Sequence, residues 1–169
     1  MTIFASRLMK LLSKKKELLI LALLSFLILL LVIHYKYNES QYEIHCDSNF
    51  TVVNHLGKKK VLHLRARYNE FGNELRVRFE GVVLYENVET SVSRIITFKT
   101  RKVRNIIYLK TLKVLKSNAD TTDENIIEEM LPVFYSKEHT EGSFYLYQQG
   151  NGNYIFATGS VPSFYCARS

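Results

Sequence analysis

The sequence predicts a mainly β protein: an N-terminal transmembrane helix, then a small antiparallel β-barrel or sandwich carrying one short amphipathic helix. Three observations carry that prediction. Sixteen consecutive residues, Leu18 to Ile33, hold no charge and one polar side chain, Ser25. Downstream, apolar and polar residues alternate with period two through "KVLHLRARY" and "ELRVRFEG". Helical spacing returns only in "ADTTDENIIEEMLPVF".

The first segment is basic. Residues 1–17 hold Arg7, Lys10, Lys14, Lys15 and Lys16 against Glu17, so +4 of the net +7 sits in a tenth of the chain. The apolar run behind it, with Leu18, Leu24, Leu31 and Ile33 facing lipid, reads as a membrane anchor over residues 18–34. At 1.5 Å per residue its sixteen apolar residues reach roughly 24 Å, short of a ~30 Å hydrocarbon core. Snorkelling lysines 14–16 on one side and Tyr35 and Tyr37 on the other suit that shortfall. "VIHYKYNESQ" lacks the small residues of a cleavage site, so the anchor is expected to stay. The charge asymmetry puts residues 1–17 in the cytoplasm and the rest outside it. Residues 35–48 then form a stalk and strand entry, and residues 49–169 the exported domain.

Export bears on the two cysteines. Cys166 stands three residues before the last one shown, where chain ends ordinarily fray. Outside the cytoplasm a Cys46–Cys166 disulfide would tie the first strand of the domain to its last. Closing a loop of ~120 residues is worth about 4–5 kcal/mol as a ceiling. Two free thiols or an intermolecular bridge are the alternatives.

The strands follow in order. "NFTVVNHL" is expected to pair with "KVLHLRARY", whose Leu62, Leu64, Ala66 and Tyr68 share one face. The five residues "NEFGN" turn this strand into "ELRVRFEG", with its arginines outward. "NVETSVSRIITFKTRK" and "VRNIIYLKTLKVLKS" read as long strands whose broken period predicts bulges. In the helical segment Thr121 and Glu124 have capping-box spacing. Ile126, Ile127, Met130 and Leu131 share one face, and Pro132 stops the helix. Its acidic residues, Asp120 among them, read as a solvated face. "GSFYLYQQ" and "NYIFATGSV", turned by "GNGN", make the final hairpin.

Nothing in this pattern points to catalysis. The five histidines form no metal-binding pair, no nucleophile elbow is present, and the Gly150–Gly152 loop precedes no helix. The chain is therefore expected to be no enzyme, with no metal or cofactor. An exported domain also has no nucleic acid to meet. Recognition remains: a barrel of this size holds one small apolar ligand or offers strand edges to a partner. Tyr145, Tyr147, Tyr154 and Phe156 in the last strands are the candidate ligand or partner surface.

The whole arrangement, with its early Cys46, together with "RFEGVVLYENVETSVSRIITFKTRK" and "GSVPSFYCARS", resembles the FidL-like family of small bacterial inner-membrane proteins, similar in layout to ToxS. The resemblance implies a single-pass inner-membrane protein with a periplasmic, lipocalin-like domain. It implies a role in stabilising or modulating a ToxR-type membrane transcription regulator. Related pairs build a barrel jointly, and some sense bile salts in it; no catalytic residue comes with the family. Two other readings stand beside this one: a stand-alone periplasmic module for an apolar ligand, and a structural envelope protein.

Overall fold

A computed structural model describes residues 18–34, 43–55 and 57–169. It divides into two units, Met1–Tyr42 and Glu43–Ser169. In the first unit residues 18–34 form helix α1. Its apolar side chains are exposed on every face, and Ser25 satisfies its hydroxyl on the Ala22 carbonyl 2.8 Å away. Among the described residues no helix is long and apolar enough to cross a membrane. As described, α1 is seventeen residues, or about 25 Å. Arg7, Lys10, Lys14, Lys15, Lys16 and the stalk residues 35–42 lie outside the described residues.

The second unit is a closed antiparallel barrel of eight strands in sequence order. The strands are β1 (His45–Asn54), β2 (Lys60–Phe71), β3 (Glu74–Tyr85), β4 (Val88–Val103), β5 (Ile106–Lys116), β6 (Glu141–Gln148), β7 (Tyr154–Thr158) and β8 (Val161–Arg168). Helix α2 (Glu124–Met130) and a 3-10 turn (Val133–Tyr135) lie between β5 and β6. Every strand pairs with its sequence neighbour, including the expected pairing of β1 with β2. Closure decides for a barrel over a sandwich.

Several boundaries differ from the sequence reading, each for a local reason. The barrel unit begins at Glu43, so the strand entry over 43–48 belongs to the barrel itself. The β2–β3 turn is two residues, Gly72–Asn73, because Asn69–Phe71 continue the ladder. Strand β3 does not stop near Gly81 but runs on to Tyr85 and turns at Glu86 and Asn87, whose φ values are 51° and 64°. Gly81 permits a close approach of strands there: a Cβ on it would lie 2.0 Å from the His63 carbonyl oxygen. "NYIFATGSV" is not one strand, since Gly159 at φ 60° turns β7 into β8. The predicted bulge is present between Thr97 and Phe98, and a second lies between Phe156 and Ala157.

The helix starts two residues later than its capping-box spacing suggests. Asp123 is the N-cap and accepts from the Asn125 N–H at 2.8 Å. Thr121 instead accepts from the Ser91 N–H, and Glu124 reaches the Arg94 guanidinium. Asp120 is not solvated either. Its carboxylate is fully buried in a bidentate pair with Arg94, at 3.0 and 3.2 Å.

Aromatic side chains fill the barrel. Phe50, Phe79, Tyr135, Phe134, Phe144 and Phe156 belong to one run of rings whose neighbouring centroids lie 4.5–6.5 Å apart. At its centre the Tyr68 and Tyr135 hydroxyls meet at 3.2 Å. Burial pushes both phenols up, so they remain protonated partners.

Candidate functional site at the barrel seam

The barrel is least complete where its first strand meets its last. Strands β1 and β8 share two register pairs, Cys46 with Arg168 and Asp47 with Ala167. The Ser169 N–H donates to the His45 carbonyl at 3.3 Å, and Ser48 Oγ donates to the Tyr165 carbonyl at 2.7 Å. A disulfide joins Cys46 to Cys166 across the same point, with their Cα atoms 5.4 Å apart. Beyond it the ladder stops, although β1 runs on to Asn54 and β8 begins back at Val161.

Burial tracks the break. Ile44, just before β1, and Cys46, on its inward phase, are 0% exposed and Ser48 is 2% exposed, whereas Phe50 and Val52 further along the same phase are only half-buried. Strand β8 mirrors this, with Cys166 buried, Phe164 half-buried and Pro162 exposed. Pro162, near the start of β8, has no N–H to donate to a neighbouring strand. Phe50 and Phe164 stack across the gap with centroids 5.7 Å apart. Residues 49–53 of β1 therefore present a strand edge that no strand of the barrel covers.

Below the gap the chain is clamped where it enters. The Ile44 N–H donates to the buried Glu70 carboxylate at 3.0 Å, and the Glu70 N–H donates back to the Ile44 carbonyl at 2.9 Å. Thr100 and Lys102 hold the same carboxylate. The Gly72 N–H, followed by His45, holds the Glu43 carboxyl below the usual range. On the outer face Asp47 pairs with Arg65 and Arg67 at 2.8 and 3.1 Å. Burial works against the Asp47 charge, but the hydrogen bonds from Arg67 and Arg65 outweigh it and lower its carboxyl.

The four aromatics singled out from the sequence fall on two faces. Tyr154 and Phe156 point inward and are buried at 5% and 0% exposure. Tyr145 and Tyr147 point outward, stacked with centroids 6.5 Å apart. They form no single surface. Arg94 and Glu70 escaped the sequence reading although a signal was present, since each sits on the apolar phase of its strand. Arg94 lies between Val92 and Ile96, and Glu70 follows Ala66 and Tyr68.

A family model, the YqeJ C-terminal domain, matches residues 43–166. The chain belongs to the YqeJ C-terminal domain family. The matched residues of the YqeJ domain are those of the barrel, from the entry clamp at Glu43 to the closing Cys166. The Escherichia coli (strain K12) protein described as "Uncharacterized protein YqeJ" is 27% identical over 157 residues, covering 92% of this chain and 98% of the relative. No solved structure matches.

Proposed function

We propose that this is a single-pass protein of the bacterial inner membrane, with its N-terminus in the cytoplasm and its barrel in the periplasm, that docks a membrane-spanning partner through the barrel seam. The partner in this reading is a transcription regulator of the ToxR type, which the barrel stabilises or modulates, as the FidL-like and ToxS-like resemblance implies. The unpaired edge at residues 49–53 is the observation that carries the proposal. It supplies main-chain hydrogen bonds to an added strand, and the half-buried Phe50, Val52 and Phe164 gain cover from alternate apolar residues of that strand.

Other features support the remaining parts. A helix whose apolar side chains are exposed all round needs an apolar medium, and α1 follows a basic segment. A structural disulfide suits an oxidising compartment. The aromatic filling leaves rings where a stand-alone carrier would hold its cargo, so a pocket for a small apolar signal such as a bile salt forms, in this reading, only jointly with the partner.

The test is a photo-crosslinking residue at Thr51 in intact cells, with Lys113 on another face as the control. Mass spectrometry then identifies the adducts. A membrane protein with a cytoplasmic DNA-binding domain, captured from Thr51 and not from Lys113, is the expected product. Capture only of the chain itself, or of nothing specific, would sink the proposal.

A further inference from the structure

A second surface stands apart from the seam. The outer faces of β4, β5 and β6 bound a groove of about 590 Å³, lined by Lys99, Arg101, Tyr108, Lys110, Glu141 and Ser143 among others. Its charges are arranged against the interests of the fold. Lys99 and Lys110 stand directly opposite each other in the β4–β5 register, a like-charge pair that weakens a ladder. Lys110 has Glu141 at 3.5 Å, with both side chains more than half exposed. Among the described residues Lys99 has no ion pair, although Glu74 lies opposite it on β3. Two register positions further along, the Arg101 guanidinium sits 4.3 Å from the centroid of the Tyr108 ring, which fixes a third cation at the rim. The lining of the groove thus holds three cations and one carboxylate, Glu141. Local costs of this kind persist where a ligand offsets them.

The position of the groove narrows the ligand. Arg101 and Tyr108 lie near the β4–β5 turn, at the end of the barrel that also holds the Gly72–Asn73 turn and Glu43, where the chain enters. Only residues 35–42 separate Glu43 from α1 in the sequence. The groove is open and far larger than one phosphate, and its tyrosine suits a headgroup interface. We propose that this groove binds the phosphate headgroups of anionic phospholipids at a bilayer surface. The inference rests on the anchor reading but not on the regulator.

The test uses the full chain in nanodiscs of phosphatidylcholine alone, or with a third of the lipid as phosphatidylglycerol. Lysine acetylation rates are read by mass spectrometry. Lys99 and Lys110 are expected to label about fivefold more slowly in the anionic discs, while Lys58, on the turn at the other end of the barrel, changes little. High salt restores labelling. Equal rates at Lys99 and Lys110 in the two discs would overturn the proposal. So would equal protection by soluble glycerol phosphate in neutral discs, which marks a site for small anions. Failure of the chain to insert in neutral discs refutes the anchor instead. Flotation with anionic but not neutral vesicles, lost in the Lys99→Glu, Lys110→Glu variant, would then still support the groove.

Discussion

At the scale of single residues, the least forgiving position is Asp120. Its carboxylate and the Arg94 guanidinium are both fully buried, so removing one leaves the other charged without its main partner. Asp120→Ala is expected to cost about 3 kcal/mol, the low end for a broken buried pair, because Arg94 keeps Glu124 at 3.1 Å. Urea denaturation of the 43–169 unit measures it, and a loss well below 1 kcal/mol would show that the pair is dispensable. The pair also sets a pH dependence. Burial pushes the Asp120 carboxyl up, but the Arg94 hydrogen bond, the Ser93 N–H and the nearby charges outweigh it, so its folded pKa lies below 3.8. A depressed carboxyl contributes stability above its unfolded pKa and loses it as pH falls through the folded value. The wild type should therefore lose stability more steeply than Asp120→Asn as the pH drops below 3.8; equal slopes would refute this. Gly81 belongs to the same scale. An alanine there meets backbone rather than a flexible side chain, and Gly81→Ala should cost about 1–3 kcal/mol in the same measurement. An unchanged midpoint would show that β2 and β3 separate freely.

At the scale of elements, α2 and the seam separate what alternation and spacing reveal from what they do not. Hydrophobic period alone was enough to place α2, because Ile127 and Met130 bury one face. Its start lies beyond the capping-box match at Thr121-x-x-Glu124 because both of those side chains are drawn away to β4, to Ser91 and Arg94. Asp123→Ala should accordingly cost about 1 kcal/mol of cap energy. Thr121→Ala should leave the helix amides as protected as before; the opposite ranking in hydrogen exchange would restore the capping box. The β2–β3 hairpin was legible for its clean period, and the β7–β8 turn was not, since "ATGSV" carries no polar run to announce it. The seam was legible only through its cysteines. An unpaired edge is a relation between the two most distant strands, and no local pattern encodes it. With two register pairs at the closure, the disulfide supplies much of its strength. Cys46→Ala with Cys166→Ala should lower stability by about 2–4 kcal/mol.

At the scale of the whole molecule, the barrel is lopsided. Strands β2, β3 and β4 pair over twelve register positions at each interface, while β6 and β7 pair over four and β1 and β8 over two. Hydrogen exchange should rank the molecule in that order, with amides of β8 exchanging about tenfold faster or more than those of β3. Uniform protection around the barrel would mean that the seam is tighter than its pairing. The entry clamp has a mechanical counterpart. Tension arriving along the chain at Glu43 meets the Gly72 and Glu70 hydrogen bonds at once, and two residues after Ile44 it meets a covalent crossing into β8. A pull there divides between both ends of the strand order instead of peeling β1 from β2, so the load leaves the edge at residues 49–53 in register.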